Sequence, residues 1–351
     1  CKKRLRLEFL GVFQKARVYL NGEKVGEHRG GYTPFLVELT NVARPGKNHL
    51  IVSVDNLWDA RLAPRAGEHQ FNGGIYRDVQ LILTEFCGID EYGVFVQTTK
   101  LERENEDPNG WNATVKIETQ VFEQRSQIDE PLFLETCILD GETVLAKEIS
   151  RINMKTEGEI DSEKKDRNST SSLNSKTITQ QISLSGIQPW SPNSPKLYTV
   201  VSRVSYNGIL VDCVLTKFGI RTVRFDKDNG FFLNGEHFAI LGANVHQDHA
   251  GWADAVTRAG IQRDIRMIKE CGMNTIRGSH YPHHPYFAQV CDEEGILFWS
   301  EMCFWGTGGD KRDGFWVASA YPPKKEDQKD FEKSCLDQLE EMIRSQRSHP
   351  S

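Results

Sequence analysis

No Cys-x-x-Cys pair occurs among the eight cysteines, Cys1, Cys87, Cys137, Cys213, Cys271, Cys291, Cys303 and Cys335, and their spacings do not repeat. A disulfide scaffold or a zinc ribbon needs such regularity, so neither organises this chain; buried free thiols are expected. That usage leans towards a reducing compartment or a few incidental bridges. No apolar run approaches the roughly 20 residues that a membrane span requires. No Gly-x-Gly-x-x-Gly follows a strand pattern, and there is no Walker motif and no Gly-x-Ser-x-Gly. Nucleotide sites and the serine-hydrolase elbow are therefore not indicated. A basic excess is also lacking: net charge is -6, with both signs interspersed. That speaks against a nucleic-acid partner, whose binders carry a basic face. No signal peptide is visible. Cys1 is followed at once by a strand pattern rather than by a tether, which weighs against a lipid anchor.

What is present reads as several domains, since 351 residues exceed what one core usually serves. Leu5, Leu7 and Phe9 alternate with charged neighbours, and Ala16-Arg17-Val18-Tyr19-Leu20 alternates again. Asn21-Gly22 follows, the signature of a two-residue type I′ hairpin, and 24–28 makes the return strand. Further strands are expected at 48–54 and 75–83. No helical period occurs before about residue 85, and 1–86 is assigned as one β-domain. A second all-β module is assigned to 87–225, with strands at 94–96, 113–119, 132–139, 178–184 and 198–206 at the spacing of a β-sandwich. Residues 155–177, rich in Ser, Asn, Lys, Asp and Glu, read as a solvated insertion.

The pattern changes after Asn229-Gly230. A hairpin at 231–236 precedes strands at 239–243, 274–276 and 296–300. Helices are expected at 259–271, 285–294 and 326–347, with Gly272 and Gly295 as stops. Strand alternating with helix implies parallel β/α units. A closed (β/α)₈ barrel needs about 250 residues, so 226–351 is expected to be the first part of one; a complete smaller α/β domain is the alternative. Three polar or aromatic clusters follow successive strands: His246-Gln247-Asp248-His249, then Arg277-Gly278-Ser279-His280-Tyr281-Pro282-His283-His284, then Glu301 to Trp305. In a barrel the carboxyl ends of the strands are where active sites form. Duller readings stay open. His246 and His280 suit satisfied structural histidines, Glu301 suits a buried partner of Arg277, and Trp305 suits core filler. His246, His249, His280 and His283 together suggest a metal site, although His-x-x-His is not a helical i, i+4 pair.

These words together resemble glycoside hydrolase family 2. Val18-Tyr19-Leu20-Asn21-Gly22, Gly30-Gly31-Tyr32-Thr33-Pro34-Phe35 and Gly73-Gly74-Ile75-Tyr76-Arg77-Asp78-Val79 are similar to its sugar-binding jelly roll. Trp190-Ser191-Pro192, Leu197-Tyr198 and Lys217-Phe218-Gly219-Ile220-Arg221 resemble the end of its immunoglobulin-like domain. Phe231-Phe232-Leu233-Asn234-Gly235 and Ser279-His280-Tyr281-Pro282 resemble the opening of its catalytic barrel. The resemblance implies a multidomain β plus α/β chain: a partial jelly roll, an immunoglobulin-like β-sandwich and the first part of a TIM barrel. It also implies a retaining exo-β-glycosidase, β-D-galactosides first, with β-glucuronidase, β-mannosidase and β-glucosaminidase as alternatives. A non-catalytic carbohydrate-binding protein is the reading from another class.

By that resemblance His246 and His280 would donate hydrogen bonds to sugar hydroxyls. Arg277 would lie beneath the nucleophile and hold it ionised, and Glu68 would reach into the sugar pocket; Trp305, by its place beside the rim rather than by resemblance, suits stacking on a sugar ring. The acid/base and nucleophile glutamates would both follow Ser351, because Ser348-His349-Pro350-Ser351 resembles the lead-in to the fourth barrel strand; the first jelly-roll strands would precede Cys1. The Glu-x-His that magnesium-dependent relatives carry after the third strand is replaced here by Cys303-Phe304-Trp305-Gly306-Thr307, so no metal and no cofactor is expected. Carbohydrate is the expected partner, with neither nucleic acid nor membrane. Compartment and oligomeric state are left unassigned.

Overall fold

The computed structural model describes residues 3–64, 72–103, 110–124, 130–154, 174–304, 311–312, 315–316 and 320–351. Among the described residues the first region holds eight strands: β1 (Arg4–Phe9), β2 (Val12–Phe13), β3 (Lys15–Leu20), β4 (Glu23–Arg29), β5 (Phe35–Glu38), β6 (Leu50–Asp55), β7 (Gly74–Ile75) and β8 (Val79–Thr84). They form antiparallel sheets β5-β1-β8 and β4-β3-β6, with β2 paired to β7. The alternation read from the sequence is what builds this sandwich. Leu7, Phe9, Val18, Leu20, Phe35 and Val37 point into one shared core. Asn21 and Gly22 both have positive φ, 52° and 89°, which is the turn that joins β3 to β4 without splaying them.

The strand expected at 75–83 is two strands, interrupted at 76–78. Tyr76 and Arg77 leave the ladder there because their polar groups are satisfied by other segments: Tyr76 donates to Gly31 O at 2.7 Å, and Arg77 to oxygens described below.

The next seven strands are β9 (Cys87–Arg103), β10 (Trp111–Glu123), β11 (Leu132–Asp140), β12 (Thr143–Ile152), β13 (Asn174–Ile187), β14 (Tyr198–Tyr206) and β15 (Ile209–Phe218). Sheet β13-β10-β9 faces sheet β12-β11-β14-β15 across a core of Val115, Ile117, Leu132, Leu134, Ile138, Val200 and Val204. Two of these strands, β12 and β15, carry no clean alternation and were not expected. Their outer faces keep exposed apolar residues such as Ile149 and Leu215, and each pairs through a register shift. The turns Asp140-Gly141 and Asn207-Gly208 were the available signals. Most of the polar insertion, 155–173, lies outside the described residues.

A hairpin sheet, β16 (Val223–Asp226), β17 (Gly230–Leu233) and β18 (Glu236–His237), opens the third region. Then β19 (Gly242–Val245), α1 (Arg258–Glu270), β20 (Thr275–Gly278), α2 (Pro285–Glu294), β21 (Leu297–Ser300), the short pair β22 (Lys311–Arg312) and β23 (Phe315–Trp316), and α3 (Lys325–Gln346) follow. Strands β19, β20 and β21 are parallel neighbours, the start of a β/α barrel.

The helices start and stop for local reasons. The Thr257 side chain accepts from Gly260 N at 3.1 Å to cap α1, Pro285 opens α2, and Gly295 closes it in the left-handed region at φ 72°. The first parallel strand begins three residues later than the apolar run 239–243 suggested. Asn274 is the cause: its side chain accepts from Leu241 N at 3.0 Å and donates to Ala239 O at 2.9 Å. These bonds replace a ladder for that stretch.

Candidate functional site

Asn244, Arg277 and Trp299 are register partners across β19, β20 and β21, so they project from one face of the parallel sheet. The opposite face carries Val245, Ile276 and Phe298, which pack with Ile261, Ile265, Phe287 and Val290 of α1 and α2. Helices therefore occupy one side. Polar side chains are left to converge on the other side, at the carboxyl end.

Arg277 is the centre of that convergence. Its Nε and Nη2 lie 2.8 Å from Glu301 Oε2 and Oε1, a two-point ion pair. Nη1 donates to Ser279 Oγ at 3.3 Å and to Asn244 Oδ1 at 3.4 Å. Nη2 also stands 3.0 Å from His280 Nδ1. A guanidinium has no acceptor, so His280 Nδ1 must accept, and the imidazole proton must sit on Nε2. The N–H of the His280 ring thus lies on the edge opposite the one that meets Arg277. The His246 ring stands 5.2 Å from it, centroid to centroid, and crosses it at 70°. Three of the residues singled out in the sequence, His246, Arg277 and His280, are brought together. Glu301 joins them as the partner of Arg277. Glu68 and Trp305 lie outside the described residues.

The remaining histidines of the two clusters go elsewhere. His249 Nε2 donates to Asp264 of α1 at 2.6 Å. His283 is buried between Tyr281, Phe287 and Phe298 and donates from Nε2 to Ser279 O at 3.3 Å. The suggested four-histidine metal set is therefore not assembled. Among the described residues no group of three or more His, Cys, Asp or Glu is placed to hold a metal ion.

Burial holds His283 neutral, with its pKa pushed down to about 3, and His284 likewise, to about 4. Both lie below the value of about 6.5 for an unfolded histidine, so the unfolded chain binds the extra protons. Their contribution is intact above about pH 6.5 and is lost as pH falls towards 3–4, at up to about 1.4 kcal/mol per pH unit for each. His283→Phe, which keeps the aromatic packing, is expected to flatten the stability drop between pH 7 and 4.5. Urea midpoints of both proteins across that range test this; equal slopes would refute it.

Residues of the first sandwich complete the site. Arg77, buried, donates from Nη2 to Gln247 Oε1 and to Pro282 O, both at 2.8 Å. The Tyr32 ring stacks on Tyr281 at 4.4 Å, and Tyr281 Oη accepts from Gln247 N at 3.2 Å. Asn72 donates from Nδ2 to Asp254 Oδ2 at 2.9 Å; burial raises the Asp254 pKa and these bonds oppose the rise. Arg77, Asn72 and Asp254 were not read as site residues, and Gln247 was read only as a member of the first polar cluster. Arg77 lay within a quoted motif, but nothing local ties residue 77 to residues 247 and 282.

Three family models match the chain: "Glycosyl hydrolases family 2, sugar binding domain" at 1–85, "Glycosyl hydrolases family 2" at 109–221 and "Glycosyl hydrolases family 2, TIM barrel domain" at 224–351. The chain is 31% identical to a β-glucuronidase of Bacteroides fragilis over 99% of its own length and 46% of that protein. It is 31% identical to a β-galactosidase of Thermoanaerobacter pseudethanolicus over 99% of its length and 41% of that protein. The solved structure of a Bacteroides uniformis β-glucuronidase superposes with a TM-score of 0.81 at 28% identity, covering 99% of this chain and 38% of that one. The chain thus spans less than half the length of these relatives.

Proposed function

The chain belongs to glycoside hydrolase family 2, and from that premise we propose that the protein hydrolyses terminal non-reducing β-glycosides with retention, β-D-galactosides first. β-D-Glucuronides are the second reading, favoured by the name of the Bacteroides fragilis relative. The observation that carries the proposal is the cluster of Arg277, His280, His246 and Glu301 at the carboxyl ends of adjacent parallel strands. In this reading the Nε2–H of His280, together with His246, donates to sugar hydroxyls, and Arg277 keeps a neighbouring nucleophilic carboxylate ionised. Glu68 and Trp305 are proposed to face the same sugar. Domain limits near 86/87 and 225/226 accompany the proposal; sheet membership changes between Thr84 and Cys87 and between Phe218 and Val223.

Double displacement needs two carboxyl groups about 5–5.5 Å apart. Glu301, the one carboxylate in the cluster and the ion-pair partner of Arg277, does not by itself make that pair. Residues 1–351 by themselves are therefore expected to release no nitrophenol from p-nitrophenyl β-D-galactoside or β-D-glucuronide above a mock-purified control. The whole protein is expected to hydrolyse one of the two and to lose that activity in His246→Ala and His280→Ala. Binding of both sugars without cleavage in that protein would favour the carbohydrate-binding alternative instead.

A further inference from the structure

We propose that Arg77 is a positioning residue: from the sugar-binding module it sets the separation of the two imidazoles, His246 and His280, on the barrel. The idea rests on the proposed function for its meaning, and on geometry for its existence. The guanidinium is buried and donates to four oxygens on four segments. Two belong to the first sandwich, Leu10 O at 3.2 Å and Tyr32 O at 2.6 Å; two belong to the barrel, Gln247 Oε1 and Pro282 O, both at 2.8 Å. Gln247 immediately follows His246, and Pro282 lies two residues beyond His280. One rigid planar group therefore ties the loop after β19 to the loop after β20 at the positions that carry the rings.

The surroundings leave Arg77 little freedom. A Cβ on Gly11 would stand 2.7 Å from its Cδ, so glycine at 11 is what allows the side chain to pass. Tyr76 stacks beside the guanidinium at 5.0 Å. The barrel loops brace each other through Gln247 N and Tyr281 Oη, and Tyr32 stacks on that same tyrosine. Lysine cannot substitute: its single nitrogen has three donors and no planar fork to span four divergent oxygens. Without Arg77, Gln247 Oε1 and Pro282 O lose a charged donor inside a buried contact, and the two loops are free to part. A displacement of about 1 Å between binding groups costs about 100-fold in rate.

The test compares Arg77→Met with His28→Ala in the whole protein. His28 joins the same two modules through Glu341 on α3, at 3.1 Å, and touches neither histidine loop. Selective ¹⁵N labelling of histidine reads the rings directly. Arg77→Met is expected to shift the His246 and His280 ring signals, and to raise KM for the cleaved nitrophenyl glycoside while lowering kcat/KM about 100-fold. His28→Ala is expected to lower the melting temperature and leave both rings and KM in place. Unmoved ring signals in Arg77→Met, or equal movement in both variants, would overturn the proposal. Should Arg77→Met fail to fold, Gly11→Ala displaces the Arg77 side chain without removing its charge and is expected to shift the same two signals; no shift there is equally fatal. If His280→Ala leaves turnover intact, the glycosidase reading of the site falls, while the ring signals still judge Arg77.

Discussion

Arg277→Met in the active protein is expected to lower kcat/KM by about 100- to 1000-fold, the scale of losing one preorganised donor from a transition-state site. Two changes would act together. Glu301 would lose the cation that faces both its oxygens. His280 Nδ1 would lose the donor that keeps it an acceptor, and Glu301 Oε1, 3.6 Å away, would be placed to accept a hydrogen bond from an Nδ1–H instead. The ring would then carry its proton on Nδ1, and the Nε2–H donor would be lost. Arg277→Lys keeps the charge without the fork and is expected to fall between. The ¹⁵N pattern of His280 distinguishes the tautomers, and an unchanged pattern in Arg277→Met would refute this account whatever the rate does.

Trp190→Ala is expected to be the most destabilising single truncation outside the site, at about 3–5 kcal/mol. Trp190 has no exposed surface and packs with Phe231, Leu233 and Leu297, so it joins the second sandwich to the hairpin and the third parallel strand. Its Nε1 donates to Asp292 O of α2 at 2.9 Å, and its own carbonyl accepts from Asn234 Nδ2 at 3.0 Å. A multidomain chain need not unfold in two states, so the first thermal transition is the quantity to follow. It is expected to fall by on the order of 10 °C. Trp190→Phe keeps most of the buried area and loses only the donor, for about 1–2 kcal/mol. A transition shifted by less in the alanine variant than in the phenylalanine one would contradict this packing account.

The elements whose side chains all face one environment were legible in the sequence. The strand β1 alternates because Leu7 and Phe9 face the sandwich core, while Arg4, Arg6 and Glu8 on its other face are buried against polar partners, Glu38, Asp90 and Tyr92. The helices α1 and α2 announce themselves through the stops that follow them, Gly272 and Gly295, both with positive φ. Legibility failed where a partner distant in sequence decided the matter. Asn274 claims the backbone at 239–241, and the first parallel strand shifts. The outer faces of β12 and β15 retain apolar residues, and their alternation disappears. The histidines were singled out as a set because their spacing cannot say which rings face the site. Burial among aromatic rings takes His283, and Asp264 takes His249.

The sequence by itself determined the order of three modules, the turn chemistry that closes their hairpins, and the polar clusters at successive strand ends. Each of these follows from contacts a few residues apart or from periodicity along one element. Only the tertiary structure decided that Arg277 fixes the tautomer of His280, that Glu301 is taken up by that arginine, and that Arg77 reaches across 170 and 205 residues of sequence to the loops carrying the histidines. Contacts of that kind form only once the fold has brought distant segments together, and no local pattern records which partner the fold will supply.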